Sequence, residues 1–423
     1  MIYVSIFILC IVTAIFRIQA GKWIVPGALF SLYWTIAVCF SIILAPEDYP
    51  VSWISVFWIS ISVFSLGIGS IIGVKISPVN KIALKLKNNI EDTIYKMKNI
   101  GKTVTIFSFI GFIGTLFLMN SLGKNISIFF SLEAIQSLSA SVSEARYVDG
   151  FKPPLIYNIC LSFNYAGALL GGMLRALKST KISYLPFVPI LMSTIIMTTK
   201  AGILFSIFLW LAGLLAMRIK IGKLEIEKKT IIQLSLSSTL ITSIFIISSL
   251  LRYSMESFSD LKFIYEKLTV YYVGFLSGYS QWFDGINLVY FEKGFGSYTF
   301  AGLFDMLGIQ TRGQGIISNT VRVGNFETNI YTVFRYIIQD FGLLGSLVFL
   351  FLIGLLSGCL YQLVIRGSYL AIPLLAIFYA QLLFSNTTTI IGYNTIVLAF
   401  LISMVYIGKN DFKIKRFVWK RNL

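Results

Sequence analysis

The 423-residue chain contains no histidine at all. Imidazole acid–base catalysis, Ser–His and Cys–His dyads and His-ligated metal sites are excluded with it. Charged residues are scarce at 13%, where a soluble domain carries about 25%. Only four cysteines occur, Cys10, Cys39, Cys160 and Cys359, far apart and each inside an apolar run. That spacing indicates neither a disulfide framework nor a zinc site, so they read as small packing residues. Acidic groups are scarcer still, 18 Asp and Glu against 35 Lys and Arg, for a formal charge of +17. What is abundant is apolar: 57% hydrophobic and 15% aromatic residues, with a mean hydropathy of +0.82. This excludes a soluble globular enzyme, and a chain that presents a wet basic face to nucleic acid. The basicity needs a membrane explanation.

A hydrocarbon core about 30 Å thick takes roughly 20 mostly apolar residues per helix. Eleven stretches qualify: 2–16, 23–44, 51–74, 103–120, 156–174, 182–199, 201–217, 231–251, 341–362, 369–385 and 391–407. The sequence therefore predicts an all-α integral membrane protein, one polytopic domain over 1–423 with about 11 transmembrane helices (10–12). The first stretch lacks the basic residues that precede a signal peptide's apolar region and reads as a permanent span. Short loops rich in Lys and Arg stay cytoplasmic. With the stretch from Lys75 to Lys102 placed inside, 24 of the 35 basic residues fall inside and 11 outside, while 5 acidic residues fall inside and 13 outside. The net charge is thus a topology signal, +19 inside and −2 outside. The amino terminus is predicted outside, and the basic tail 409–423 inside, as a topology and anionic-lipid anchor. Gly69 and Gly73, Gly167 and Gly171, and Gly354 and Gly358 have the spacing that lets helices approach closely. No acidic residue lies near the middle of a predicted span, which argues against a proton-coupled transporter.

Two outer segments are too long for turns: 121–155, and 252–340 between two spans. The second has 20 aromatics in 89 residues, too many for a disordered segment. Within it, Leu268 to Tyr290 is apolar with a polar, aromatic side of Tyr271, Tyr272, Tyr279, Gln281, Trp282 and Asp284, and reads as an interfacial or re-entrant helix. Glycines punctuate the remainder, as in a tightly turned surface. The outer basic residues also differ in kind. Five of the 11 are arginine (Arg146, Arg252, Arg312, Arg322, Arg335), against six of 24 inside. Arginine's fork suits bidentate recognition of phosphate. An aromatic outer loop studded with arginine is what a lipid-linked diphosphate and its sugars need, although each arginine reads equally as a partner of the outer acids.

Near the end of that loop runs Asn-Phe-Glu-Thr-Asn-Ile-Tyr-Thr-Val-Phe-Arg-Tyr-Ile-Ile-Gln-Asp-Phe-Gly, from Asn325 to Gly342. On a helix Tyr331, Arg335 and Gln339 share one stripe, and Thr332, Tyr336 and Asp340 the adjoining one. Asp340 also reads as an acid in the first turn of the next helix, and Thr328 and Asn329 as helix caps.

The Thr-Asn-Ile-Tyr-Thr-x-Phe segment followed by Asp-Phe-Gly-x-x-Gly and a long apolar helix resembles the oligosaccharide repeat-unit polymerase (O-antigen polymerase, Wzy-type) family. The match covers about 30 residues; the remainder agrees in layout, with many spans, one large outer loop before the last helices, and an outer Glu144-Ala-Arg146-Tyr147 segment. Lys200-Ala-Gly202 looks like the Arg-Gly turn of these polymerases, with lysine in place of arginine.

The resemblance implies a multi-pass glycosyltransferase of the bacterial cytoplasmic membrane. Such an enzyme joins undecaprenyl-diphosphate-linked oligosaccharide units on the outer leaflet, for O-antigen, capsule or a similar glycan. It uses no cofactor, metal or nucleotide sugar. Partners implied are the lipid-linked oligosaccharide, membrane lipids, a chain-length regulator and a flippase, and no nucleic acid. Stabilising the departing diphosphate falls to Arg146, Arg312, Arg322 and Arg335, with Lys200 behind them. Glu144, Glu327 and Asp340 are the candidates to receive the acceptor's proton. Tyr279, Trp282, Asn329, Tyr331 and Tyr336 are candidate substrate contacts, the aromatic ones reading equally as interface anchors. An O-antigen ligase-like transferase shares the donor and the layout. A flippase would show internal repeats and charges in its spans, and neither is found; a purely structural component of an assembly complex is the third alternative.

Overall fold

The computed structural model describes residues 1–76, 97, 99–147, 151–197, 199–225, 259–286, 292–310, 316–317 and 319–421, with short stretches between 232 and 247. The described chain is built of helices: α1 Ile2–Ala20, α2 Pro26–Leu44, α3 Trp53–Ile76, α4 Ile100–Ser121, α5 Leu132–Tyr147, α6 Leu155–Leu177, α7 Phe187–Met197, α8 Lys200–Lys220, α9 Ser259–Tyr272, α10 Gly274–Asp284, α11 Ala301–Met306, α12 Val333–Ile365, α13 Ala371–Phe384 and α14 Asn394–Arg421. Among the described residues the strands are a single hairpin, β1 Val321–Val323 and β2 Phe326–Thr328.

Six helices, α1, α2, α3, α4, α8 and α12, are long and apolar enough to cross a membrane, and α13 and the start of α14 are shorter apolar helices. In hydrocarbon a helix satisfies its backbone groups internally, so such runs fold this way. The predicted span 231–251 falls largely outside the described residues. Predicted span 391–407 is the first part of α14, whose backbone stays helical into the basic tail. The predicted helix around 268–290 is broken at Val273 into α9 and α10.

The chain divides into two compact units. The first holds α1–α3, α10–α13 and the hairpin. Its centre is a seam between α3 and α12, which run parallel: a Cβ at Gly69 would strike the Phe351 carbonyl, one at Gly73 the Leu355 carbonyl, and those at Gly354 and Gly358 the Leu66 and Ser70 carbonyls. Two of the predicted small-residue pairs thus face each other, and Ser65 Oγ donates to the Leu347 carbonyl along the same seam (2.7 Å). Phe16 of α1 packs against Gly67. On the other side Trp34 of α2 meets Phe334 (4.7 Å between ring centres) and Phe275 (6.3 Å), which binds α10 and the start of α12 to the spans.

The second unit holds α4–α8 and most of α14. Here α6 and α8 touch through Gly172, whose Cβ would strike the Trp210 carbonyl, and Gly213, whose Cβ would strike that of Leu169. The predicted Gly167 and Gly171 border this contact: Gly171 lies against Ser183, and Gly167 against Phe107 and Pro186. Amphipathic α5 seats Leu138 and Val142 on Leu118, Tyr157 and Ile196.

Candidate functional site

The segment that carries the polar stripe is anchored before it becomes helical. Val321 pairs with Thr328, Arg322 with Glu327 and Val323 with Phe326. The two-residue turn between them places Gly324 at φ +57, the conformation a tight hairpin requires at its first turn position. Val323 packs on Tyr49, Val270 and Val273. Burial, with help from Asp48 and Glu266, pushes the Tyr49 phenol up to about 12. Beyond the hairpin Thr328 Oγ1 accepts the Ile330 N–H (3.1 Å), and the Tyr331 hydroxyl donates to the Asn319 carbonyl (2.9 Å). Tyr331 and Tyr336 then close a small cluster with Ile317, Trp282 and Tyr298.

Arg335 lies in this cluster, 2% exposed. Its Cζ is 3.7 Å from the Tyr331 ring centre and 5.1 Å from that of Trp282. Nε and Nη1 are buried and have no hydrogen-bond partner. A guanidinium stays charged at any physiological pH. Stacking on two aromatic faces recovers about 2 kcal/mol, whereas removing a cation from water costs several. Two unpaired guanidinium nitrogens among aromatic rings can receive an anionic group such as phosphate or carboxylate.

The elements around Arg335 carry more polar atoms left open. Thr332 Oγ1, Gln339 Oε1, Thr299 Oγ1 and the Tyr279 hydroxyl are all buried without a partner, and Thr388 lies beside the Tyr336 hydroxyl. Burial raises the Tyr279 phenol well above its usual range, so it stays a neutral donor. Native interiors leave few such atoms, and a group of them together is where a polar ligand or water can bind. The linker between α13 and α14 belongs to this wall: the Ser385 carbonyl accepts the Val333 N–H (2.7 Å), and Gln381 holds the Thr388 carbonyl and the Ile390 N–H.

Helix α12 is broken at Gly342, where φ is +72 and ψ −179. Asp340, two residues before the break, is fully buried. Its carboxylate accepts the N–H groups of Tyr298 (3.1 Å) and Thr299 (2.6 Å).

The structure thus brings Arg335, Asp340, Tyr279, Trp282, Tyr331 and Tyr336 into one unit and one region. Arg322 and Glu327 sit opposite each other on the exposed hairpin, where Arg322 Nε donates to the Gly324 carbonyl (3.2 Å) and Glu327 accepts from Thr320 (3.0 Å). Asn329 is exposed, with Nδ2 at 3.4 Å from the Ile317 carbonyl. Lys200 is the half-buried first residue of α8, Glu144 is exposed on α5, and Arg146 lies in the last turn of α5, all in the second unit. Arg312 lies outside the described residues. Three participants are missed by the sequence reading, Tyr298, Thr299 and Thr388. The signal for Thr388 was the run Ser385-Asn-Thr-Thr-Thr389 between two predicted spans on the same predicted face. Among the described residues no three His, Cys, Asp or Glu side chains gather to hold a metal ion.

No family model, curated protein or solved structure matches this chain.

Proposed function

We propose that the protein is a membrane glycosyltransferase that polymerises lipid-diphosphate-linked oligosaccharide units, and that Arg335 receives the diphosphate of the donor. The observation that carries this reading is the buried guanidinium with two open N–H groups between Trp282 and Tyr331. In the reaction the bond from the anomeric carbon of the donor to its diphosphate oxygen breaks, and a bond from that carbon to an acceptor hydroxyl oxygen forms. Negative charge grows on the departing diphosphate, and the proton released by the acceptor hydroxyl passes to that diphosphate or to water. A fixed cation in a water-poor chamber stabilises that charge without reorganising. Diphosphate is a good leaving group, so the main demands are charge stabilisation and orientation. The open hydroxyls of Thr332 and Tyr279 suit the sugar next to it, and Trp282 suits a sugar face. This reading takes eleven spans, an amino terminus outside and a tail inside, in the cytoplasmic membrane of a bacterium. A flippase supplying donor units and a chain-length regulator are its expected partners.

Deletion of the gene in its host, with complementation by wild type, R335A and R335K, tests the reading. Surface glycan cut to a single repeat unit on its final acceptor is expected in the deletion, and R335A should fail to restore length at normal expression. R335K should fail too, because lysine lacks the planar fork that stacks between two rings. Long chains held on the lipid carrier would instead mean a ligase, and units held at the inner leaflet a flippase; either would overturn the proposal.

A further inference from the structure

The carboxylate of Asp340 is tied to the main chain of a neighbouring segment. Oδ1 accepts the Tyr298 N–H (3.1 Å) and Oδ2 the Thr299 N–H (2.6 Å). Hydrogen bonds to a charged acceptor are about twice as strong as neutral ones. The main chain adds two more. Because Gly342 leaves the helical conformation, the carbonyls before it lose their acceptance from the following turn. The Gln339 carbonyl accepts the Gly294 N–H instead (3.0 Å), and the Asp340 carbonyl the Phe295 N–H (3.1 Å). Four hydrogen bonds thus strap 294–299 to the helix break, and Thr389 Oγ1 fixes the Thr299 carbonyl from the other side (3.1 Å). The fit leaves no space: a Cβ at Gly294 would stand 2.6 Å from Asp340 Oδ1, Ser297 Oγ and the Tyr298 ring. The strapped segment delivers Tyr298 into the cluster with Trp282, Tyr331 and Tyr336 that surrounds Arg335.

We infer that Asp340 is a positioning residue, whose carboxylate straps segment 294–299 onto the broken helix and so sets Tyr298 as a wall of the Arg335 chamber. The role in catalysis rests on the glycosyltransferase reading; the strap itself does not. Asp340 takes no proton during the reaction and acts on it through the shape of the chamber.

The test uses the full chain in lipid nanodiscs, with D340N and G294A compared against wild type in two assays. Gly294→Ala attacks the same strap without touching a titratable group. In the first assay Thr299→Cys is introduced into each background, and its reaction with a water-soluble maleimide is read at residue 299 by peptide mapping. Protection in the wild-type background and labelling in both variants is expected; protection in all three overturns the strap. The second assay follows polymerisation of an undecaprenyl-diphosphate-linked repeat unit. Both variants should raise KM by about ten-fold or more, the effect of one or two charge-assisted hydrogen bonds, and keep the wild-type pH profile of kcat. A kcat in D340N reduced by about 10² to 10⁴ with its acid limb lost, and near-normal G294A, is the result for a general base and overturns the proposal. If the wild-type chain polymerises nothing, the glycosyltransferase reading fails, while the labelling still decides the strap.

Discussion

Replacing Arg335 by methionine separates the cost of a buried guanidinium from its use. Methionine keeps an unbranched apolar stem between Tyr331 and Trp282 and removes the charge. The loss is the cation–aromatic attraction, about 2 kcal/mol for a desolvated pair. The gain is relief from holding a cation out of water, several kcal/mol, with Nε and Nη1 unpaired in the free protein. The expected balance is a protein as stable as wild type or more stable, by about 1 to 4 kcal/mol, the range seen when buried ionic groups give way to apolar ones. The ligand response moves the opposite way. A donor present at about 100 times its dissociation constant stabilises wild type by about 2.7 kcal/mol, and should leave R335M unchanged. Chemical unfolding in detergent, with and without the lipid-linked donor, reads both quantities. If R335M is instead destabilised by more than about 2 kcal/mol, the guanidinium is holding the fold together, and the argument that it waits for an anion collapses. Stability surrendered at a functional position is a common trade in enzymes.

The glycine seam makes a second prediction: Gly354→Leu forces α3 and α12 apart at the Leu66 carbonyl, and should cost about 3 kcal/mol or more in the same unfolding assay, the upper end for overpacking. Gly172→Leu should do the same to the second unit at the Trp210 carbonyl, with early proteolysis in that unit as the readout. The raised Tyr49 phenol predicts an alkaline transition. The unfolded chain loses this proton near pH 10 and the folded chain near 12, so the contribution of Tyr49 is full below pH 10 and falls as pH rises from 10 to about 12. Hydrogen exchange at Val323 across that range checks it, and Tyr49→Phe should remove the transition.

Much of this protein is local and therefore legible in its sequence. Apolar runs of about 20 residues become helices because hydrocarbon leaves the backbone no other partner, and Gly69/Gly73 and Gly354/Gly358 were visible as close-packing spacing, although only the fold shows that they face each other. Four-residue spacing also placed Tyr331 beside Arg335, although Tyr331 precedes the helix and the two meet by stacking. A hydropathy window started the next span at 341 and so divided α12 from its first turns, since residues 333–340 are helical but too polar to register as membrane. Composition treated the outer arginines as equals. Tertiary structure distinguished them: Arg322 is exposed on a hairpin opposite Glu327, and Arg335 is enclosed without a carboxylate among the described residues. The same holds for Asp340, whose residue type fits a base, and whose partners at Tyr298 and Thr299 make it a strap. Periodicity and hydropathy are set by neighbours along the chain, so sequence determines them. Burial and hydrogen-bond partners are set here by residues 40 or more positions away, and only the folded chain brings those together.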